Sequence, residues 1–388
     1  MRRGQPTPAP PHRPRVAVLF GGRSGEHPIS CVTAGGVLAA IDRDAYDVVA
    51  VGIDTEGRWW LADDSPGPWE LRGDVLPSVD GASPGRGGGA AVEVVPSTAV
   101  GGLRLLPTPP AGGVPIAVDV TFPLLHGAYG EDGTIQGLLD LAGARYVGSG
   151  VLASAAGMDK PTMKTLLRAA GVPVAEWVAF TRDDWHGPER GELLARVEKL
   201  GSPVFVKPAR AGSSLGVARV DGGEQELDAA VSAAAEHDPR ILVEAAIPGR
   251  EVECGVLDAG PGSPPAASVC GEIVLRGGRT FYDFEAKYLD PDAVRLDCPA
   301  DLPGPVADRV RELAVVAFRA LGCEGLARVD TFVTGDTRDS VVVNEVNTMP
   351  GFTPLSMYPR MWQATGVGYP ELVDRLIRAA LARPAGLR

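Results

Sequence analysis

The sequence predicts an α/β protein of two or three domains, and three observations predict it. Short apolar runs ending in glycine turns alternate with helical patterns through the first third, as in VAVLF (16–20), the turn GGRSGEHPIS and the helix-periodic CVTAGGVLAAID. A second block of strands and helices runs from residue 158 to the C-terminus, with its own long helix at PVADRVRELAVVAFRALG (305–322). At 388 residues the chain also exceeds what one hydrophobic core usually supports.

Taken in order, MRRGQPTPAPPHRPR has charge and proline without an apolar region and reads as a disordered tail over 1–14. After the first strand, turn and helix, YDVVAVGID (46–54) reads as the next strand. The segment 74–113 is rich in Gly, Pro and Ser and reads as an insertion whose weak strand signals, AVEVV and LRLL, suggest a hairpin. VDVTFPLLHG (118–127) gives another buried strand, with His126 at its end. MDKPTMKTLLRAAGV (158–172) is a helix stopped by glycine. The helical ARVEKL and EQELDAAVSAAAEHD flank SPVFVKPARAGSSLGVARV (202–220), two strands around a glycine-serine loop. ILVEAAI, GREVECGVLD and SVCGEIVL follow as strands; after the long helix come LARVDTFV and SVVVNEVN, then the closing helix YPELVDRLIRAALA. No internal repeat or coiled-coil heptad occurs.

Composition narrows the function. With 22 % charged and 45 % hydrophobic residues the chain fits a soluble globular enzyme, and its net charge of -12 argues against a nucleic-acid partner, which needs a basic face. No run reaches the roughly 18 apolar residues of a membrane span. Five scattered cysteines without a CxxC pair indicate neither a disulfide framework nor a zinc site, which suits a reducing cytoplasm. An anionic substrate needs a local basic pocket, and lysine is scarce: Lys160, Lys164, Lys199, Lys207 and Lys287 are all the chain has.

The candidate chemistry sits at strand ends and in loops. Glu345 and Asn347 lie two apart on a strand and so share a face, and Asp330 stands on a similar strand beside Arg328. If the two strands pair, three oxygen ligands converge, a hard-donor set that suits Mg²⁺ shared with phosphates; taken singly, each also reads as a polar strand end facing solvent. Phosphates need donors, which Lys207 and the loop Ala211 to Gly216 with Ser213 and Ser214 offer. No Gly-Lys dipeptide occurs, so a Walker A loop is excluded, and GGRSGEHPIS fails the dinucleotide fingerprint GxGxxG. Glu26 and His27 near a helix start could take a substrate ammonium or carboxylate. In HGAYGEDGTIQG, Asp132 reads equally as a helix cap, and His126 is only suggestive alone. RTFYDFEAKYLD (279–290) reads either as a surface hairpin or as a loop that closes over a site with Lys287 and Tyr288.

Together these segments resemble the D-alanine:D-alanine ligases of the ATP-grasp superfamily. The resemblance runs from about residue 15 to the last helix through seven ordered motifs: LFGGRSGEHPIS, HGAYGEDGTIQG, YVGSGVLASAAGMDK, VFVKPARAGSSLGVARV, FYDFEAKYL, ARVD and NEVNTMPGFTPLS. It implies an ATP-grasp fold preceded by a Rossmann-like N-terminal α/β domain, divided at 15–148, 149–247 and 248–388. It implies ATP with Lys160, Lys207 and Ser214 at its phosphates, Glu244 near the adenine amino group, Glu251 on the ribose and Lys287 near the γ-phosphate. Asp330, Glu345 and Asn347 match the ligands of Mg²⁺, two ions in the family, which Mn²⁺ can replace. Glu26, linked to Ser213 and Tyr288, matches the residue holding the first D-alanine ammonium, with His126 alongside. Arg328 would stabilise the reacting carboxyl group, and Ser356 with the Gly351 backbone would bind the second D-alanine. A cytoplasmic homodimer is implied as well.

Two positions depart from the pattern. Pro28 replaces an acidic residue found in many relatives, and Ala245 a lysine found in some. Two alternatives stay open: a D-alanine:D-lactate ligase, against which Tyr288 argues, and a non-catalytic ATP-binding sensor.

Overall fold

In a computed structural model, which describes residues 13–384 apart from 72, 74, 81–89, 97–101, 109–112, 259 and 276–293, the first apolar run becomes strand β1 (Arg15–Gly21). Its side chains from Val16 onward are buried, as a central strand covered on both faces requires. Helix α1 (His27–Ala40) follows, with Pro28 in its first turn where no intrahelical N–H is needed. Strands β2 (Asp47–Ile53) and β3 (Trp59–Ala62) come next. The 74–113 segment supplies the expected hairpin, β4 (Val92–Pro96) and β5 (Leu103–Pro107), extended by β6 (Ile116–Ala117) into a three-stranded sheet. Strand β7 (Val120–Pro123) completes the first sheet in the order β3-β2-β1-β7, with β2 and β7 both parallel to β1. The strand ends at Pro123, and His126 stands in the loop beyond it rather than at the strand end.

Helices α2 (Thr134–Leu141), α3 (Val151–Met158) and α4 (Lys160–Ala169) lead to the second sheet. Asp159 caps α4 by accepting from the Thr162 amide at 3.0 Å. Then come β8 (Trp177–Thr181), α5 (Arg182–Trp185), α6 (Arg190–Glu198), β9 (Val204–Pro208), β10 (Ala218–Val220), α7 (Glu224–Ala235) and β11 (Arg240–Ala245). The sheet is antiparallel in the order β10-β9-β11-β8. Leu193, Val197, Leu227 and Val231 of α6 and α7 pack on Val206, Ile241 and Val243, so alternation sends Phe205, Lys207 and Glu244 to the opposite face.

The third sheet holds β12 (Arg250–Leu257), β13 (Ala266–Leu275), β14 (Val294–Asp297), β15 (Leu326–Val333) and β16 (Val341–Asn347), in the order β14-β13-β12-β15-β16. Helix α8 (Gly304–Ala320) buries Val306, Val310, Leu313 and Ala317 against it. Helix α9 (Met357–Ala364) seats Met357 and Met361 against Ile273. The last helix, α10 (Tyr369–Ala382), returns to the first sheet. There Leu372, Val373, Leu376 and Ile377 share one core with Val16, Val18 and Phe20, and Tyr46 Oη donates to Asp374 at 2.8 Å. Sequence periodicity marks neither β3, β8, α3 nor α9. In α9, Pro359 reads as a breaker, yet it falls in the first turn, where the missing N–H costs no helix bond.

Candidate active site

One cleft of about 1380 Å³ opens among the three larger sheets; His27 and Asp132 lie outside its lining, while the described residues that the family resemblance assigns to the site all line it. These are Glu26 and His126 from the first block, Lys160, Lys207, Ser213, Ser214 and Glu244 from the second, and Glu251, Arg328, Asp330, Glu345, Asn347 and Ser356 from the third. Lys287 and Tyr288, with the 279–290 stretch read as a closing loop, lie outside the described residues.

The oxygen ligands are set by strand register. β15 and β16 pair antiparallel with Asp330 opposite Glu345 and Arg328 opposite Asn347, so two i, i+2 pairs meet on one sheet face. Arg328 grips Asp330 bidentately, Nε to Oδ1 and Nη2 to Oδ2 both at 2.7 Å, and its Nε also lies 3.3 Å from Glu253 Oε2. Burial works against the guanidinium charge, yet the Asp330 and Glu253 carboxylates outweigh it and hold Arg328 firmly protonated. Asn347 Nδ2 donates to Asp330 Oδ2 at 2.9 Å; turning that amide over presents its oxygen instead. Among the described residues no three His, Cys, Asp or Glu side chains form a metal cluster; the oxygen donors this face offers are Asp330, Glu345 and the Asn347 amide. Two carboxylates and one amide oxygen fit a magnesium ion that keeps several waters and shares substrate phosphates.

The glycine-serine loop is built differently. Ser213 and Ser214 both adopt left-handed backbone, φ 49° and 60°, a conformation that costs roughly 1–2 kcal/mol per non-glycine residue. A short hydrogen bond from Ser213 Oγ to Glu26 Oε1 ties the loop across the cleft to the start of α1. Gly127 makes room for that carboxylate: its φ is +75°, and a Cβ there would come within 2.5 Å of Glu26 Oε2. Lys160 Nζ donates to the Ala211 carbonyl at 2.7 Å at the loop's base. Gly212–Gly216 also spells G-x-S-x-G, but it joins two antiparallel strands, so it lacks the strand-to-helix elbow that exposes a serine nucleophile.

Behind Lys207 lies a buried charge cluster. Glu244 takes a short hydrogen bond from Lys207 at Oε1 and an ion pair from Lys164 at Oε2, 2.9 Å away. Burial alone would raise the Glu244 carboxyl, but the two ammonium groups overcome it and bring its pKa down to about 2.

His126 is almost wholly buried, with Nε2 3.1 Å from Thr33 Oγ1 and Nδ1 3.8 Å from Glu131. Burial opposes its charge, yet Glu131 and Glu26 prevail and raise its pKa above the usual imidazole value. His27, by contrast, is structural, since Nδ1 reaches the Gly22 carbonyl at 2.7 Å and Nε2 accepts from the Val79 amide at 3.0 Å. Asp132 serves as a local cap, accepting from the Tyr129 and Thr134 amides. Ser356 precedes α9 and accepts from the Thr353 amide at 3.1 Å. Sequence reasoning passes over Lys164 and Glu253 as site residues. Their signals are spacing alone: Lys164 lies one helical turn after Lys160, and Glu253 two strand positions after Glu251.

Comparison with known proteins agrees along nearly the whole chain. The family models described as D-ala D-ala ligase N-terminus and C-terminus match residues 15–149 and 166–378. The chain is 58 % identical to a D-alanine–D-alanine ligase of Kineococcus radiotolerans, covering 97 % of this chain and 99 % of that protein. Its fold matches the VanG D-Ala:D-Ser ligase of Enterococcus faecalis with a TM-score of 0.79 at 35 % identity, over 95 % of this chain and 100 % of the other. The D-alanine–D-alanine ligase of Coxiella burnetii matches with a TM-score of 0.77 at 34 % identity, over 95 % and 94 %.

Proposed function

The chain belongs to the D-alanine:D-alanine ligase family, and on that premise we propose how its own residues join two D-alanine molecules at the expense of ATP for peptidoglycan precursor synthesis. The observation that carries the reading is that the Arg328, Asp330, Glu345 and Asn347 corner faces the Glu26–Ser213 link within one cleft. A carboxylate is a poor acylating agent, so the first D-alanine takes the γ-phosphoryl group of ATP to become an acyl phosphate. Lys160, Lys207 and the Ser214 backbone hold the phosphates, Glu251 the ribose and Glu244 the adenine amino group. Glu26 binds the first D-alanine ammonium, with Ser213 fixing its carboxylate and His126 alongside.

Arg328 then supports the oxyanion formed when the second D-alanine amine attacks the acyl phosphate, and breaking of the C–O bond to phosphate, with loss of the amine proton, leaves the dipeptide and inorganic phosphate. Ser356 and the Gly351 amide orient that second substrate. Asp330, Glu345 and Asn347 would hold Mg²⁺, or Mn²⁺ in its place, which when bound neutralises charge on the transferred group. The reading extends to three units, 15–148, 149–247 and 248–388, to closure by the 279–290 stretch with Lys287 and Tyr288, and to a homodimer in the cytoplasm. Among the described residues no helix is long and apolar enough to cross a membrane.

The test is phosphate release from ATP and Mg²⁺ with D-alanine alone and with D-alanine plus D-lactate, the products resolved by mass. D-alanyl-D-alanine as the main product is expected in both. A depsipeptide would make D-lactate the nucleophile, and no release with either would return the chain to a nucleotide sensor.

A further inference from the structure

Lys164 is 1 % exposed, an unusual place for an ammonium, since burying an unpaired charge costs several kcal/mol. It sits on α4 behind Glu244 and is not part of the cleft lining. Its ion-pair partner is Glu244 Oε2, while the other carboxylate oxygen is held by Lys207. The two ammonium groups therefore stand on opposite sides of one carboxylate, one facing the cleft and one the protein interior. When phosphates draw Lys207 into the cleft, Glu244 loses its outer partner. Without a second cation it would either hold Lys207 back or remain a lone buried carboxylate.

We propose that Lys164 is a positioning residue for nucleotide recognition: it anchors and charge-balances Glu244 from behind, so that Oε1 can exchange Lys207 for the exocyclic amino group of adenine. The proposal rests on the reading of Glu244 as the adenine contact. It makes the choice of base and the seating of the phosphates two halves of one exchange at a single carboxylate. A nucleobase without that amino donor gives Glu244 no replacement partner and leaves Lys207 in competition between carboxylate and phosphate.

The test is the binding of ATP and of purine riboside triphosphate, which lacks the 6-amino group, to the full-length protein by titration calorimetry with D-alanine absent. The wild type is expected to favour ATP by at least tenfold, and K164M to lose most of that preference while the KM for D-alanine changes less than twofold. In an E244Q background, adding K164M should cost nothing further, because Lys164 acts only through that carboxylate. A wild type without preference would remove the adenine role of Glu244 and with it the premise. A wild type that discriminates while K164M keeps the full ratio would overturn the Lys164 role alone. Should K164M not fold, K164Q, which keeps an amide donor toward Glu244, is read by the same ratio; failure of both to fold makes Lys164 a purely structural cation and overturns the proposal.

Discussion

The β15–β16 corner and the Ala211–Gly216 loop both present polar groups to the cleft, yet they are held by opposite means. In the corner, Asp330 and Glu345 are fixed by cross-strand register, with Val329, Val343 and Val346 buried around them. Their positions follow from the backbone ladder, on which Arg328 and Asn347 also hold the Asp330 carboxylate. In the loop, Ser213 and Ser214 sit in left-handed conformations, and the Ser213–Glu26 hydrogen bond ties the loop across the cleft. On the proposed reading, the groups that handle transferred charge are thus built on rigid strands, and those that meet the incoming substrate on a strained loop whose geometry leans on that side-chain tie.

If that contrast holds, substitutions in the corner should remove catalysis and spare the fold. Glu345→Gln is expected to lower turnover about a thousandfold with Tm shifted by no more than about 3 °C, since it removes charge at the reaction centre and leaves the ladder intact. A mutant that unfolds, read by thermal denaturation, would break the contrast. Gly127→Ala attacks the other side. A Cβ 2.5 Å from Glu26 Oε2, at a φ of +75°, should push the carboxylate away and raise the KM of the first D-alanine about tenfold, with a stability loss of about 1–2 kcal/mol. Steady-state kinetics and chemical denaturation measure the two effects separately.

Ser213→Gly sharpens the comparison further. Relief of the left-handed strain should offset the lost hydrogen bond, leaving Tm within about 2 °C while the same KM rises several-fold. A KM unchanged from wild type would mean that the Glu26 link does not position substrate. The smallest effect belongs to His126. Its folded pKa is raised above the ordinary imidazole value of 6.5, so its contribution to stability is full below that value and fades as pH rises through the folded pKa. As pH rises above 6.5 and through the folded pKa, the wild-type Tm should fall toward that of His126→Gln. Parallel curves would show that Glu131 does not stabilise the protonated imidazole.

The two regions are unequally legible in the sequence. LARVDTFV and SVVVNEVN announce themselves as strands, and once they are paired, period-2 alternation alone brings Arg328, Asp330, Glu345 and Asn347 to one face. The loop's location can be read from GSSLG, but its strain cannot, because serine in a left-handed conformation leaves no compositional mark where glycine would. Lys164 is hidden for another reason. A lysine in KPTMKTLLRA looks like the solvent face of an amphipathic helix, and only the tertiary placement of Glu244 turns it inward. β3 and β8 are missed because half-buried edge strands carry a weak periodic signal, and α9 because Pro359 masks its start.

The return of α10 to the first sheet also orders events in time. The core around Val16, Val18 and Phe20 needs Leu372, Val373, Leu376 and Ile377, which leave the ribosome long after β1. Strand β1 therefore waits for α10, and a chain cut short before Gly368 leaves the apolar face of the first sheet uncovered, the kind of surface that quality-control proteases and chaperones bind.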